Sequence, residues 1–342
     1  MQDRMSSFPL ASQTAYQDLL ESHKMRAVSS LGGTLVSKSR GTRGNYWYAQ
    51  QRIGNRVVYR YVGRDTPELR ERIEKAKHEF EDQKTFEQRC TSLVGQLRAA
   101  GLLALDRNTG KVLNAIARVG TFRLGGTLVG THAFRLYGAE LGVRLDHDFA
   151  VTTQDVDIAA FKNLKLVIDD EVDPTLADTF KELKFSPAPN FDRKHRPTRW
   201  MMRGGGTTVD FLTPKMLEDS DVLMLEPLGV YAQALPFLNF LIAEPIPAVG
   251  LYRSGVLVQI PRPERYAIHK LIIAQRRTGG LQTKSRKDFA QARSLIRILA
   301  EDRPYSLRET YETAMDTGPK WRAEIEKTFL QHPDIAKIIK NL

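Results

Sequence analysis

Arg123-Leu-Gly-Gly-Thr127, followed after an amphipathic segment to about Val143 by Thr153-Gln-Asp-Val-Asp-Ile158, is the stretch whose reading decides the fold. Thr121 to Leu124 has the character of a strand that ends in the glycine pair Gly125-Gly126 and opens a helix. Such a junction turns free backbone N–H groups and a positive helix end toward one point, which suits a phosphate. The second half sets two carboxylates at i and i+2. Side chains alternate across a strand, so Asp155 and Asp157 leave from one side while Val156 and Ile158 pack behind them. Carboxylates this close repel unless a cation or a proton lies between them. A phosphate cradle followed by a carboxylate pair that calls for divalent metal is the equipment for moving a nucleotidyl group out of a triphosphate.

Downstream, a strand is expected at Leu164 to Ile168, a helix around Pro174 to Leu183, and strands near Arg199 to Met202 and Thr207 to Leu212, parted by Gly204-Gly205-Gly206. The last carries Asp210 between Val209 and Phe211. A lone aspartate among apolar strand residues is costly unless its charge has a partner, and a metal shared with Asp155 and Asp157 supplies one. Leu225 to Ile242 reads as helical and apolar, and Ile246 to Val249 pairs with Val256 to Ile260 as two short strands. Pro263-Glu264 opens a helix on which Lys270 shares a face with Ala267, Ala274 and Arg277. Arg286-Lys287-Asp288 opens the next helix, where Asp288 aligns with Ala292, Leu295 and Leu299. His132 and His269 read as packed residues. The basic run Arg193 to Arg196 reads equally as a solvated loop or a contact to a substrate backbone.

Upstream, Tyr46-Trp-Tyr-Ala-Gln-Gln-Arg52 and Arg56-Val-Val-Tyr-Arg-Tyr-Val62 flank Ile53-Gly54-Asn55, a hairpin signature. Arg43, Arg52, Arg56 and Arg60 make it positive, and Tyr46 and Trp47 add aromatic faces. Two readings stand side by side: a nucleic-acid contact, with aromatics on bases and arginines on phosphates, or a solvated flap with half its aromatics turned inward. Thr66-Pro67-Glu68 starts a charged helix expected to run toward Gly101, and another helix is expected from Asp106 to Ala117.

The 342 residues carry 42% hydrophobic side chains and a formal charge of +11. That length suggests more than one unit: 1–100 a basic hairpin and linking helix, 101–225 the core, and 226–342 a mainly helical region that completes the site. The charge favours polyanionic partners. One cysteine, Cys90, excludes an internal disulfide framework and a cysteine-rich zinc site, in keeping with a cytoplasmic location. No signal-peptide layout opens the chain, and the apolar run Leu235 to Tyr252 is broken by Asn239, Glu244, Pro245 and Pro247, so no membrane span is expected.

Leu124-Gly125-Gly126-Thr127, Asp155-Val156-Asp157-Ile158 and Val209-Asp210-Phe211, in that order, resemble the signature of the DNA polymerase β nucleotidyltransferase superfamily. The likeness extends over most of the chain to a bacterial branch with a similar Tyr-Trp-Tyr hairpin and similar stretches at Pro236-Phe-Leu-Asn-Phe240, Leu251-Tyr-Arg-Ser-Gly255 and Pro261 to Lys270, related to abortive-infection-type nucleotidyltransferase toxins. The resemblance implies an α+β fold: a polymerase β-like core of mixed sheet and flanking helices, an N-terminal β-hairpin and helix extension, and a mainly helical C-terminal region. It implies that Asp155, Asp157 and Asp210 hold two Mg2+ or Mn2+ ions, that Gly125, Gly126, Thr127 and Lys270 bind an NTP, and that Lys270 and Asp288 complete the catalytic set. RNA, with the tRNA 3′ end in view, is the implied acceptor, and an antitoxin protein the implied partner. Attachment of the nucleotide to a protein or a small molecule, or an inactive fold serving as a nucleic-acid-binding module, are the rival readings. The gap from Gly126 to Asp155 exceeds the family's usual spacing, so an inserted loop or hairpin is expected over Leu141 to Thr153.

Overall fold

The computed structural model of the chain describes residues 6–29, 34–39, 41, 44–53, 56–78, 83–145, 153–162, 174–189, 196–204, 206–216, 219–277 and 282–342. The N-terminal part comprises helix α1 (Leu10–Ser29), strands β1 (Thr34–Ser39), β2 (Asn45–Ile53) and β3 (Arg56–Arg64), and helices α2 (Pro67–His78) and α3 (Gln83–Ala99). The three strands form an antiparallel sheet in chain order. α2 starts where Thr66 Oγ1 accepts from the Leu69 amide at 3.2 Å and a proline follows. Its Leu69 and Ile73 pack on Leu35, Trp47 and Val62 of the sheet. The charged helix expected to run toward Gly101 is described as α2 and α3, with residues 79–82 between them outside the described residues.

The central part runs α4 (Arg107–Arg118), β4 (Thr127–Val129), α5 (Gly130–Glu140), β5 (Asp155–Ala159), α6 (Leu176–Glu182), β6 (Phe185–Pro187), β7 (Arg199–Met202), β8 (Thr208–Pro214), β9 (Val222–Leu225) and β10 (Val230–Leu235). α4 is capped by Asp106, whose carboxylate accepts from the amides of Asn108 and Thr109. The seven strands make one sheet, ordered β4-β5-β8-β10-β9, with β7 joining β6 to β8. β8 runs parallel to β5 and to β10, and the remaining pairs are antiparallel. On one sheet face Val156, Ile158, Val209 and Phe211 are fully buried. Phe211 and Trp200 pack there around Phe180, at ring-centroid distances of 6.0 and 4.9 Å. Aromatic pairs of this kind add about 0.5–1.5 kcal/mol each beyond area burial, and they stiffen the strands whose other face carries Asp155, Asp157 and Asp210.

The C-terminal part contributes α7 (Leu238–Leu241), a hairpin of β11 (Ile246–Gly250) with β12 (Val256–Ile260), and helices α8 (Pro263–Arg276), α9 (Gln282–Asp302), α10 (Pro304–Asp316), α11 (Pro319–Gln331) and α12 (Pro333–Lys340). A single hydrophobic cluster reaches from Leu105 to Ile339, so the central and C-terminal elements share a core. α1 docks through the Tyr16 hydroxyl, which takes the Val249 amide at 3.1 Å. Among the described residues no helix is long and apolar enough to cross a membrane.

Three local expectations are corrected. Leu225 to Ile242 is not one helix: Val230 to Leu235 is a strand that pairs with β8 and β9, its buried positions alternating with open ones in the period of a sheet, and helix is confined to a short turn at Glu226–Leu228 and to α7. Thr121 to Leu124 is turn, because the amides of Leu124, Gly125 and Gly126 bond back to the carbonyls of Gly120, Phe122 and Thr121. The strand comes after the glycine pair. α9 starts at Gln282, so Asp288 lies in its second turn and not at its opening. The expected strand at Leu164 to Ile168, the Gly54-Asn55 turn and most of the expected insertion before Thr153 lie outside the described residues.

Candidate active site

The site is assembled by strand register. In the parallel pair β5/β8, Asp157 lies opposite Asp210 and Asp155 opposite Thr208; in the antiparallel pair β4/β5, Val129 lies opposite Asp157. Alternation then places the three aspartates on one sheet face. Asp155 Oδ1 accepts from the Thr208 hydroxyl at 2.7 Å. Asp210 is buried at 8% exposure, and both its oxygens are taken by Arg199, whose Nε donates to Oδ1 at 2.5 Å and whose Nη2 donates to Oδ2 at 2.7 Å. The Asp157 carboxyl is pushed up to about 7 by burial first, then by the neighbouring charges of Asp210 and Asp155, against the opposing pull of Lys270 and Arg199. Three carboxylates side by side with too little positive charge are what a hard cation would balance.

Gly130 closes the other side. It sits where β4 becomes α5, at φ +68, and a Cβ built there would lie 2.3 Å from Asp157 Oδ2. Only glycine lets the backbone pass so close to that carboxylate. The Gly130 carbonyl accepts from the Tyr266 hydroxyl at 2.9 Å, and the same hydroxyl lies 3.0 Å from the Gln291 amide oxygen. α8 and α9 therefore fix the start of α5 beside Asp157. Of the three residues expected to cradle a phosphate, Gly125 and Gly126 close a turn and Thr127 is a buried residue of β4 opposite Ala159. The strand-to-helix junction beside Asp157 is Val129-Gly130-Thr131, where the cap residue Val129 makes no side-chain capping bond and the first amides of α5 have no partner within the helix. No local signal separates it from the amphipathic segment, in which the second small-residue pair, Gly130-Thr131, begins three residues beyond Thr127.

Lys270 and Asp288 are brought together. The buried Asp288 carboxylate accepts from Lys270 and from Arg277, which face it from α8 and the residue after it. Burial alone would push the Asp288 carboxyl up, but the two cations hold it below the usual carboxylate range. With both oxygens occupied, Asp288 serves as the anchor that aims Lys270. The ammonium lies 5.2 Å over the Tyr266 ring and contributes attraction at Asp157. Half-buried Lys287 adds a further cation; burial and the nearby Lys270 lower its ammonium's pKa, and its charge is felt at His132. Arg199 is a site residue that no local sequence signal singled out.

His132 and His269 are buried, and none of their ring nitrogens has a hydrogen-bond partner among the described residues. Burial, followed by Arg135 for one and Lys270 for the other, lowers them to about 4 and about 3, so both are neutral at pH 7. In the N-terminal sheet, Tyr46 is buried with its ring 6.3 Å from that of Tyr61, and the Trp47 indole donates to Asp65 at 2.7 Å. The aromatic face expected at Tyr46 is thus turned inward, as the flap reading had it. Arg60 is half-buried on β3, Arg52 and Arg56 lie at the closed end of the β2/β3 pair, and Arg43 is outside the described residues. Of the basic run, Arg196 is described and donates to the Val222 carbonyl at 3.1 Å.

A nucleotidyltransferase family model matches residues 107–316, from α4 to the end of α10, and so includes the three aspartates, Gly130, Lys270 and Asp288. A second family model, a domain of unknown function, matches residues 16–71, from α1 into α2. Comparison with curated proteins and with solved structures gave no match. The match over 107–316 spans more than half of the 342 residues, and the chain belongs to the nucleotidyltransferase family.

Proposed function

We propose that this nucleotidyltransferase has a polymerase β-like core and transfers an NMP from an NTP to a hydroxyl of RNA, with Asp155, Asp157 and Asp210 as ligands of two divalent ions. The observation that carries the proposal is the cross-strand row of carboxylates on β5 and β8 beside the start of α5. The donor set fits Mg2+ or Mn2+, since it is all carboxylate oxygen and its charge at Asp157 is unbalanced. Among the described residues no three acidic, histidine or cysteine side chains already form a metal cluster, and both oxygens of Asp210 are engaged by Arg199. Asp155 and Asp157 are the first two ligands, and Asp210 joins once freed. Bound there, the cations supply Lewis-acid polarisation of the α-phosphate and activation of the acceptor hydroxyl.

The protein's own groups do the rest. The amides of Gly130 and Thr131 bind phosphate oxygens at the positive end of α5. Lys270, aimed by Asp288, neutralises charge that gathers on the pyrophosphate as the bond to the α-phosphorus breaks. Asp210 lies in the same row as Asp157 and takes the proton of the attacking hydroxyl. RNA is favoured as acceptor by the +11 charge and by the basic closed end of the β2/β3 hairpin; the tRNA 3′ end and an antitoxin partner follow from the likeness to the toxin branch. Incubating the purified chain with each α-labelled NTP, Mg2+ and either total RNA or cell protein decides the acceptor: label in RNA is expected. Label in protein, or in neither, refutes the RNA assignment, and transfer that survives Asp155→Ala with Asp157→Ala refutes the metal ligands.

A further inference from the structure

The cation that balances Asp210 here is Arg199. Its place is built into the sheet, because β7 and β8 pair with Arg199 opposite Asp210, in the same cross-strand row as Asp157. The guanidinium meets the carboxylate edge-on through two bonds, at 2.5 and 2.7 Å, which occupies both oxygens that a metal would need. The two residues differ in mobility. Asp210 is buried and backed by Phe211 and Phe180, whereas the Arg199 side chain is 55% exposed and can swing outward without disturbing the core. Trp200, behind β7, keeps the strand itself in place.

We propose that Arg199 is a resident counter-cation of Asp210, so that its pairing with Asp210 and divalent-metal binding by Asp210 exclude one another. The proposal rests on the metal-centre reading above and adds that the third ligand is gated. In the absence of metal the guanidinium holds Asp210 in position and prevents like charges from spreading the strands; when a cation arrives, one charge replaces the other and the arginine fork turns to solvent. Arg199 is therefore a positioning residue that sets metal affinity through Asp210.

The test is Mn2+ binding by the full chain, read by titration calorimetry and by the loss of the free-ion electron paramagnetic resonance signal, for the wild type, R199Q, R199K, D210N and the R199Q/D210N double variant. Removal of the competitor should tighten Mn2+ binding by about three- to tenfold in R199Q, with R199K between, because a pair open to solvent on its arginine side contributes no more than about that factor. In the D210N background R199Q should change nothing, since no carboxylate remains to compete for. Weaker or unchanged Mn2+ binding in R199Q, with normal binding by the wild type, overturns the gating alone and makes Arg199 a structural brace. Absence of Mn2+ binding in every variant overturns the metal centre and the gating together. If R199Q does not fold, R199K, which keeps the charge but loses the fork, decides on the same readout.

Discussion

Asp157→Asn isolates the imbalance of charge at the site. A carboxyl held near 7 in place of its usual 3.8 binds a proton in the folded chain, over the pH range between those values, that the unfolded chain has released. Stability therefore falls as pH rises through that window, and the full cost is present above about 7. Its upper bound is about 4 kcal/mol, and about half of that is expected because Asp157 keeps part of its surface open at the sheet face. The asparagine cannot ionise, so in EDTA it should be more stable than the wild type at pH 8 by about 2 kcal/mol, or about 3–5 °C in Tm, and by less than half of that at pH 5, which lies inside the titration window. Calorimetric melting of both proteins from pH 5 to 9 reads this directly. Mn2+ should also raise the Tm of the wild type and leave that of the variant nearly unchanged. Parallel stability curves across the whole range, or an asparagine variant that is less stable at pH 8, would refute the claim that Asp157 is poorly compensated.

Gly130→Ala forces a methyl group into Asp157 at a left-handed backbone position; a drop in stability of about 1–2 kcal/mol by urea unfolding, with near-complete loss of transfer, is expected. Lys270→Met keeps the stem and removes the charge, and kcat should fall by about 10²–10³ while the fold survives. Asp288→Asn leaves Lys270 and Arg277 facing each other without their anion, so it should destabilise the chain by about 3 kcal/mol, seen as a shifted denaturant midpoint. Arg52→Glu with Arg56→Glu should weaken RNA binding and lower the slope of log affinity against log salt by about two; an unchanged slope would remove the hairpin from the RNA surface.

The elements that sequence located well are those with a strong period or an unambiguous stop. Val156 and Ile158 alternate with the aspartates, Val209 and Phe211 alternate with Asp210, and the β11/β12 and β2/β3 pairs carry dense apolar and β-branched patterns, so their strands sit where expected. Val230 to Leu235 was lost because Ala232 and Ala234 suit a helix as well as a sheet, and only the partner strands β8 and β9 decide between them. The glycine pair misled for a related reason. Gly125-Gly126 and Gly130-Thr131 look alike in one dimension, yet a three-residue strand separates them, and the Asp157 carboxylate stands against Gly130 alone of the two pairs. Local spacing could report that a strand-to-helix junction exists; it could not report which glycine faces the acid.

Arg199 acts across strands, which is why sequence could not single it out. It gains its meaning from its register with Asp210. A close reading of the side chain yields an ordinary arginine on a short strand. Its placement, with that of Lys270, makes the site a ledge with charges of two kinds, carboxylates on β5 and β8 and cations arriving from β7 and α8. Nucleotidyl transfer brings to such a ledge a substrate that is itself divided in the same way, a polyanionic triphosphate with its metal ions. Each resident pair, Arg199 with Asp210 and Lys270 with Asp288, has a different fate at that moment. Lys270 is mostly buried beside Asp288 and under the Tyr266 ring, which favours its staying paired; Arg199 has a half-exposed side chain, and in the proposed gating it is the one that leaves. The same kind of ion pair thus holds one cation fixed at the site and lets the other go, and burial alone makes the difference.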